Sequence, residues 1–223
     1  MEKFIFNGHD SEKDLGLIIK EMPPIPKAAK DIETINVNGR NGSLHIDNGT
    51  YRSIDTTILC IIKDSSKIDL IKSCLDGTGE LKLSTVPDRT FIATIKNQID
   101  LSKYLSVLME FPLQLELQPF SFGDSKNVSY NESSSFFISG NVRTYPIITV
   151  SGTGVLTVNN ISIEVLESDI MIDCDLMNCS NNGIDKNDMV IIDEFPFLNP
   201  GENTLNLGDG ITNVDINYFE RWL

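Results

Sequence analysis

Ile32-Glu33-Thr34-Ile35-Asn36-Val37 alternates apolar and polar residues and runs into Asn38-Gly39-Arg40-Asn41-Gly42, after which Ser43 to Asp47 reads as a returning strand. Period-two alternation marks a half-buried strand, and a double Asn-Gly signal supplies the backbone conformations that a tight hairpin needs. A second turn is expected at Asp47-Asn48-Gly49, leading to a long strand from Tyr51 to Ile62. Antiparallel pairing is therefore the organising theme of the first part of the chain.

The same pattern extends outward. Strands are expected at Glu80 to Ser84, at Thr90 to Ile99 after a turn at Val86-Pro87-Asp88-Arg89, and at Val107 to Gln118. One helix interrupts them. Asp64 or Ser65 can cap it, Ile68, Ile71 and Leu75 share one face, and Gly77 can end it in a left-handed conformation. From Ser121 to Ser135 the composition shifts to Gly, Ser, Asn and Lys, which reads as a polar boundary. Beyond it the expected strands are Phe136 to Gly140, Ile147 to Gly152, Gly154 to Val158, Ile161 to Leu166, Ile170 to Asp175, Met189 to Ile192, Thr204 to Leu207 and Ile211 to Phe219. Short strands with close turn signals imply a sandwich. The predicted class is mainly β: an α+β N-terminal domain with one helix on a sheet over residues 1–125, and an all-β sandwich over residues 126–223.

The 223 residues carry 32 acidic and 18 basic side chains, a net charge of −14, with 40% hydrophobic residues. That hydrophobic share supports a packed core rather than disorder. The negative charge repels phosphate backbones, so sequence-specific nucleic-acid binding is not expected. The first ten residues lack a basic start followed by an apolar stretch, and the longest apolar run, Ile58-Leu59-Cys60-Ile61-Ile62, is far short of a membrane span. Synthesis in the cytoplasm without membrane insertion is expected. Cys60, Cys74, Cys174 and Cys179 form no C-x-x-C, and only His9 and His45 could join them, so free, mostly buried thiols are expected rather than a metal site.

Signals for chemistry are sparse. His9-Asp10-Ser11 sets three catalytic residue types side by side, but triads converge from separate parts of a chain; a surface loop after the first strand accounts for them better. Asn178 to Gly183 faintly resembles a calcium loop without its closing glutamate, while Asp173, Asp175, Asp185 and Asp188 lie near enough in sequence to gather an ion. Gly77-Thr78-Gly79 and Gly152-Thr153-Gly154 are too short for phosphate-binding fingerprints and read as turn glycines. No catalytic, cofactor-binding or metal-binding residues are assigned, and no enzyme is expected. The chain ends on Tyr218-Phe219-Glu220-Arg221-Trp222-Leu223, a dense aromatic finish that reads as a last strand docked through Phe219 and Trp222.

An ordered series of short motifs carries a resemblance. In the first half it comprises Phe6-Asn7-Gly8, Leu15-Gly16-Leu17, Pro23-Pro24-Ile25-Pro26, the stretch from Glu33 to Gly42, Tyr51, Leu75-Asp76-Gly77-Thr78-Gly79-Glu80-Leu81, Pro87-Asp88-Arg89, Ala93 and Pro119-Phe120. In the second half it comprises Gly140 to Val150, Gly152-Thr153-Gly154, Ile172-Asp173-Cys174-Asp175, Phe195 to Asn203 and Arg221-Trp222. Together these resemble the distal tail proteins of long-tailed bacteriophages. The resemblance implies a virion structural protein of the tail tip or baseplate. Its N-terminal domain would form a hexameric ring around a DNA channel, stacked between tail tube and tip protein, and its C-terminal domain would be a galectin-like sandwich. Implied partners are further copies of the chain, the tail tube protein, and the tape-measure and tail-associated tip proteins. Contractile tails and tail-like bacteriocins use similar subunits. Because copies this acidic repel one another, ring closure is expected to rely on apolar and backbone contacts, with Arg40 at the hairpin end and Arg89 as the candidates for bridging subunits.

A second function stays open: a carbohydrate-binding, lectin-like role for the C-terminal sandwich, with a host-surface glycan as ligand. A lectin site offers an exposed aromatic platform beside polar groups. Most C-terminal aromatics lie in patterned strands or beside proline, as core residues do.

Overall fold

A computed structural model describes residues 2–96, 102–103 and 109–223. The chain divides into two units, Met1–Ser121 together with Leu223, and Phe122–Trp222. Both are built from antiparallel strands, as the alternation predicts.

The first unit contains β1 (Phe4–Phe6), β2 (His9–Asp10), β3 (Leu17–Glu21), β4 (Lys30–Ile35), β5 (Leu44–Tyr51), β6 (Ile54–Ile62), β7 (Thr78–Leu83), β8 (Val86–Ile95), β9 (Ser102–Lys103) and the start of β10 (Met109–Tyr130). Its main sheet runs β2-β1-β7-β8-β10-β6-β3, with β9 also on β10, while among the described residues β4 and β5 pair only with each other. Phe111, Leu113, Leu115 and Leu117 of β10 are buried at alternate positions and meet Ile54, Ile58, Cys60 and Ile62 of β6. The α-helix among the described residues is short: a 3₁₀ turn over Ser65–Lys67 leads into α1 (Ile68–Cys74). The Asp64 carboxylate accepts the Ser66 N–H at 2.9 Å, as the cap signal predicts, and Ile71 and Leu75 join the sheet's core.

Two glycine-bearing motifs turn out to be one packed unit. The Asn7 N–H donates to the Glu80 carbonyl at 2.9 Å, and the Asn7 Oδ1 accepts the Glu80 N–H at 3.0 Å. The Asn7 side chain occupies the space over Gly79 where a Cβ would stand, 1.8 Å from its Oδ1. Phe6-Asn7-Gly8 and Gly77-Thr78-Gly79-Glu80 thus hold β1 to β7.

Two expected features differ. Arg89 lies not on a turn but within β8, whose hairpin with β7 turns at Ser84 and Thr85. Asp47-Asn48-Gly49 is not a turn but a bulge inside β5: Lys30 pairs with Tyr51 while Ile32 pairs with Asp47, and Gly49 at φ 73° absorbs the extra length. Of the strands expected at Thr90 to Ile99 and Val107 to Gln118, residues 97–99 and 107–108 lie outside the described residues.

The second unit is a β-sandwich. One sheet orders β11 (Ser134–Ile138), β19 (Gly201–Leu207), β13 (Gly154–Val158), β14 (Ile161–Val165) and β18 (Val190–Ile192). The other orders β17 (Ile184–Asp185), β16 (Asn178–Asn181), β15 (Ile170–Asp173), β12 (Ile147–Gly152), β20 (Ile211–Trp222) and β10. Ile148, Val150, Leu156, Val158, Ile163, Ile172, Leu205, Val214 and Ile216 are fully buried between them. Gly152-Thr153-Gly154 packs backbone on backbone against Gly208-Asp209-Gly210; a Cβ on Gly152 would fall 2.1 Å from the Gly210 carbonyl oxygen. No irregular linker follows Ser121: the polar stretch from Phe122 continues as β10, with the Ser125 hydroxyl bonded to Asn217 and the Ser129 hydroxyl to Asp215. Glu220 is 6% exposed, and its Oε1 accepts Lys126 Nζ at 2.8 Å and the Ser139 N–H at 2.8 Å. Burial opposes its ionisation, but these two donors outweigh burial and hold its carboxyl below the usual glutamate value.

Two outcomes follow from these contacts. Gly79→Ala must displace the Asn7 amide from its bonds to Glu80, so it is expected to lower stability by about 1–3 kcal/mol; an unchanged urea midpoint would contradict the packing described. Glu220→Gln is expected to cost about 1–3 kcal/mol near neutral pH. Because the folded pKa is depressed, this stabilisation is complete above the ordinary value of 4.5 and fades as pH falls through the lower folded value. The difference between variant and wild type should therefore shrink in acid, and a gap that widened there would refute the assignment.

Candidate functional site

The hairpin of β4 and β5 is the part of the first unit that the core leaves most exposed. Its base is anchored. Ala28 is buried in the core, the Arg52 N–H donates to the Ala29 carbonyl at 2.8 Å, and the Tyr51 ring meets Phe120 edge to face at 5.7 Å. Lys30 pairs with Asp47 at 2.6 Å, and Asp31 accepts from Arg52 and from Asn48, each at 3.0 Å. The Lys30 ammonium holds the Asp47 carboxyl below the usual aspartate value; Asn48 first, then Arg52, does the same for Asp31.

Register assigns the two faces of the hairpin. Glu33 lies opposite Ile46 and Ile35 opposite Leu44, while Thr34 lies opposite His45 and Ile32 opposite Asp47. The Thr34 to His45 contact at 3.2 Å and the Ser43 to Asn36 hydrogen bond at 2.7 Å knit the polar face. The opposite face carries Ile35, Leu44 and Ile46 with Glu33 beside Ile46 and Val37 continuing it towards the tip, while Ile32 lies on the polar face opposite Asp47. Val37, Leu44 and Ile46 are exposed by 45%, 38% and 41%. The alternation predicts a half-buried strand; here the apolar face is open instead. A two-stranded ribbon standing alone in water is marginally stable, so an apolar face of this kind calls for a cover.

Arg40 stands at the tip, exposed, its N–H closing a turn onto the Val37 carbonyl at 3.1 Å. Arg89 sits half-buried in β8 and already engages neighbouring groups. Sequence reading names the cation of the hairpin but not the apolar residues that would make the contact; Leu44 and Ile46 join Ile35 and Val37 on one face only through the register.

In the second unit, β20 presents Val214, Ile216, Tyr218 and Glu220 inward, and Asn217, Phe219 and Arg221 outward. Phe219 is 47% exposed and lines a cleft of about 250 Å³ with Phe122, Tyr145, Ile147, Leu176 and Arg221. The Arg221 guanidinium stands 5.6 Å from the Phe122 ring centre, and burial lowers its pKa. Trp222 is half-buried, its ring lying over Gly123 so closely that a Cβ there would be 3.1 Å away. The Asn141 N–H donates to the Arg221 carbonyl at 3.0 Å, so the ladder holds the strand nearly to its end.

The remaining motifs are structural. His9 is exposed, but Asp10 and Ser11 are buried rather than displayed on a surface loop. Asp10 accepts Lys3 Nζ at 2.7 Å and the Glu12 and Lys13 N–H groups, while the Ser11 hydroxyl accepts the Phe4 N–H at 3.0 Å. Asp173 accepts the Asp175 and Leu176 N–H groups of a tight turn, and Asp185 accepts from Asn178. Burial pushes the Cys60 and Cys174 thiols up to about 12, which suits packing rather than reactivity.

Residues 139–222 match the family model of the siphovirus-type tail component, C-terminal domain. The whole chain superimposes on the SPP1 Dit protein, described as a paradigm of the hub adsorption apparatus in phages that infect Gram-positive bacteria. The TM-score is 0.78 at 14% sequence identity, and the match covers 100% of both chains. No curated protein sequence matches the chain. Residues 139–222 of the second unit are therefore similar to the siphovirus-type tail component C-terminal domain, and the chain as a whole has the fold of the SPP1 Dit protein.

Proposed function

We propose that the chain is a structural hub subunit of a phage or phage-like tail tip, made in the host cytoplasm and incorporated into the virion. Six copies close a ring that joins the tail tube to the tip and host-recognition apparatus and leaves a channel for DNA. Its neighbours are the tail tube protein, the tape-measure protein and the tail-associated tip protein, and it performs no catalysis. The observation that carries this reading is the β4–β5 hairpin: an anchored two-stranded arm whose Val37, Leu44 and Ile46 are open to water. An adjacent copy that covers this face removes apolar surface at about 25 cal/mol per Å² and gives the ribbon the third layer it lacks. The net charge of −14 suits a channel through which a polyanion slides, since each lysine or arginine on the wall would add a phosphate contact.

A second reading, sugar binding by the sandwich, draws on the cleft where Phe219 and Tyr145 stand beside Asn217, Asp173 and Asp175. Calorimetric titration with bacterial surface glycans tests it: heat that disappears in Phe219→Ala supports it, and no heat with any glycan removes it.

For the ring, Leu44→Asp/Ile46→Asp is expected to leave the melting temperature of the subunit nearly unchanged, because both side chains are already exposed, and to abolish the hexamer in native mass measurements. Rings that form as in the wild type would refute the arm. Higher salt should favour closure in the wild type, since the Debye length falls from about 10 Å at 0.1 M to about 3 Å at 1 M and repulsion between acidic copies falls with it.

A further inference from the structure

Five Asn-Gly pairs occur in the chain, at residues 7–8, 38–39, 41–42, 48–49 and 182–183. An asparagine followed by glycine is chemically labile, because no side chain on the following residue shields its backbone nitrogen. That nitrogen bonds to the asparagine Cγ, the bond from Cγ to Nδ2 breaks, and ammonia leaves, giving a cyclic imide. One water then opens the imide at either of its two C–N bonds. The products are aspartate or isoaspartate, and the sum of the steps is one water consumed and one ammonia released. The reaction needs no enzyme; it requires a side-chain amide and a following N–H that are free to meet.

The fold separates the five pairs by this requirement. Asn7 is fixed through its Oδ1 and its own N–H to Glu80, at 3.0 and 2.9 Å. Asn48 donates to Asp31 at 3.0 Å, and the Gly49 N–H is occupied by Asp47 at 2.9 Å. Asn182 donates to Asn181 at 2.8 Å inside a two-residue turn whose flanks, Asn181 and Ile184, are paired. Asn38 and Asn41 differ. Both are exposed at the arm tip, as are Gly39 and Gly42, and neither glycine would bring a Cβ within 4 Å of any other group. Among the described residues, no hydrogen bond holds either side-chain amide or the N–H of Gly39 or Gly42. The one turn bond at the tip, from the Arg40 N–H to the Val37 carbonyl, leaves the attacking nitrogen of Gly39 unoccupied.

We propose that Asn38 and Asn41 are sites of spontaneous deamidation that convert the arm tip to aspartate and isoaspartate in subunits not yet assembled. Arg40 is the only lysine or arginine between Asp31 and Tyr51. One event at each asparagine therefore turns a tip of one positive charge into a tip of one net negative charge. The isoaspartate product also inserts a methylene into the backbone within the Val37–Arg40 turn. The consequence for assembly rests on the arm reading above: ageing subunits would lose the ability to close rings, and closed rings would shield the tip.

The test uses the full chain, incubated folded at mildly alkaline pH and, in parallel, unfolded in urea, then digested and mapped by mass spectrometry with enzymatic detection of isoaspartate. The folded chain is expected to convert at Asn38 and Asn41 severalfold faster than at Asn7, Asn48 and Asn182, and the five sites should converge when the chain is unfolded. Conversion of any of those three as fast as the tip in folded protein, or an intact tip when the unfolded chain has converted, overturns the proposal. The Asn38→Asp/Asn41→Asp variant separates the two readings. Mapping as expected with loss of rings in this variant supports both, whereas mapping as expected with normal rings keeps the modification site and overturns its effect on assembly, leaving the arm to the Leu44→Asp/Ile46→Asp test.

Discussion

The ladder between β10 and β6 fixes the first unit. Nine residues of each strand pair without a slip, from Met109 opposite Ile62 to Leu117 opposite Ile54. Side chains alternate across a strand, so a single register commits Phe111, Leu113, Leu115 and Leu117 to one side together, and a shift by one residue would turn all four into water. At roughly 1.5–3 kcal/mol for each fully buried large side chain, that shift would remove about as much as a domain's entire net stability. The other elements of the unit are consequences of this choice. β3 adds to β6, α1 supplies Ile71 and Leu75 to the same core, and the β1–β7 contact closes through Asn7 over Gly79.

Features set by local patterns were legible in the sequence. Strands covering Ile54 to Ile62 and Met109 to Gln118, a cap at Asp64 or Ser65 and a shared face for Ile71 and Leu75 follow from neighbours a few residues away, and the structure has a strand, a cap and a buried face at these places. Polar strands were not. The β16 and β17 strands and residues 122–130 of β10 are rich in Asn, Ser, Asp and Gly, and composition of that kind reads as loop. They are strands because their partners are strands: Met171 and Ile172 pair with Ser180 and Cys179, and Asp215 and Asn217 take the hydroxyls of Ser129 and Ser125. Tertiary pairing overrides propensity here, and a single sequence carries no sign of the partner.

The candidate arm was half legible for a different reason. The Ile35-Asn36-Val37 end of the first strand shows two apolar residues on one face, and the register adds Leu44 and Ile46 to that face while Ile32 lies on the other. Alternation does not say whether the cover comes from the same chain. Arg40 is a bridging candidate because it stands at a hairpin end, yet an exposed ion pair contributes little in water. Three or four aliphatic side chains withdrawn together contribute more, and they keep contributing at salt concentrations that screen charge.

The electrostatics of the chain give that distinction its weight. Copies that each carry −14 repel one another, so any closed assembly of them must be held by forces that act at contact and do not reverse with charge. The hairpin meets this condition, because its paired charges sit at the base, Lys30 with Asp47 and Arg52 with Asp31, and its apolar stripe runs towards the tip. Each ion pair at the base is neutral in sum, so it stiffens the root of the arm without adding to repulsion between copies. Beyond the root, a ribbon covered on neither face gains little from its own contacts, and the entropy lost in ordering it is repaid only when a neighbour lies against it. Under the proposed ring assembly, ordering of the arm and closure of the ring are one event. A single subunit in solution has little reason to fix its arm, and a subunit beside a neighbour has every reason to.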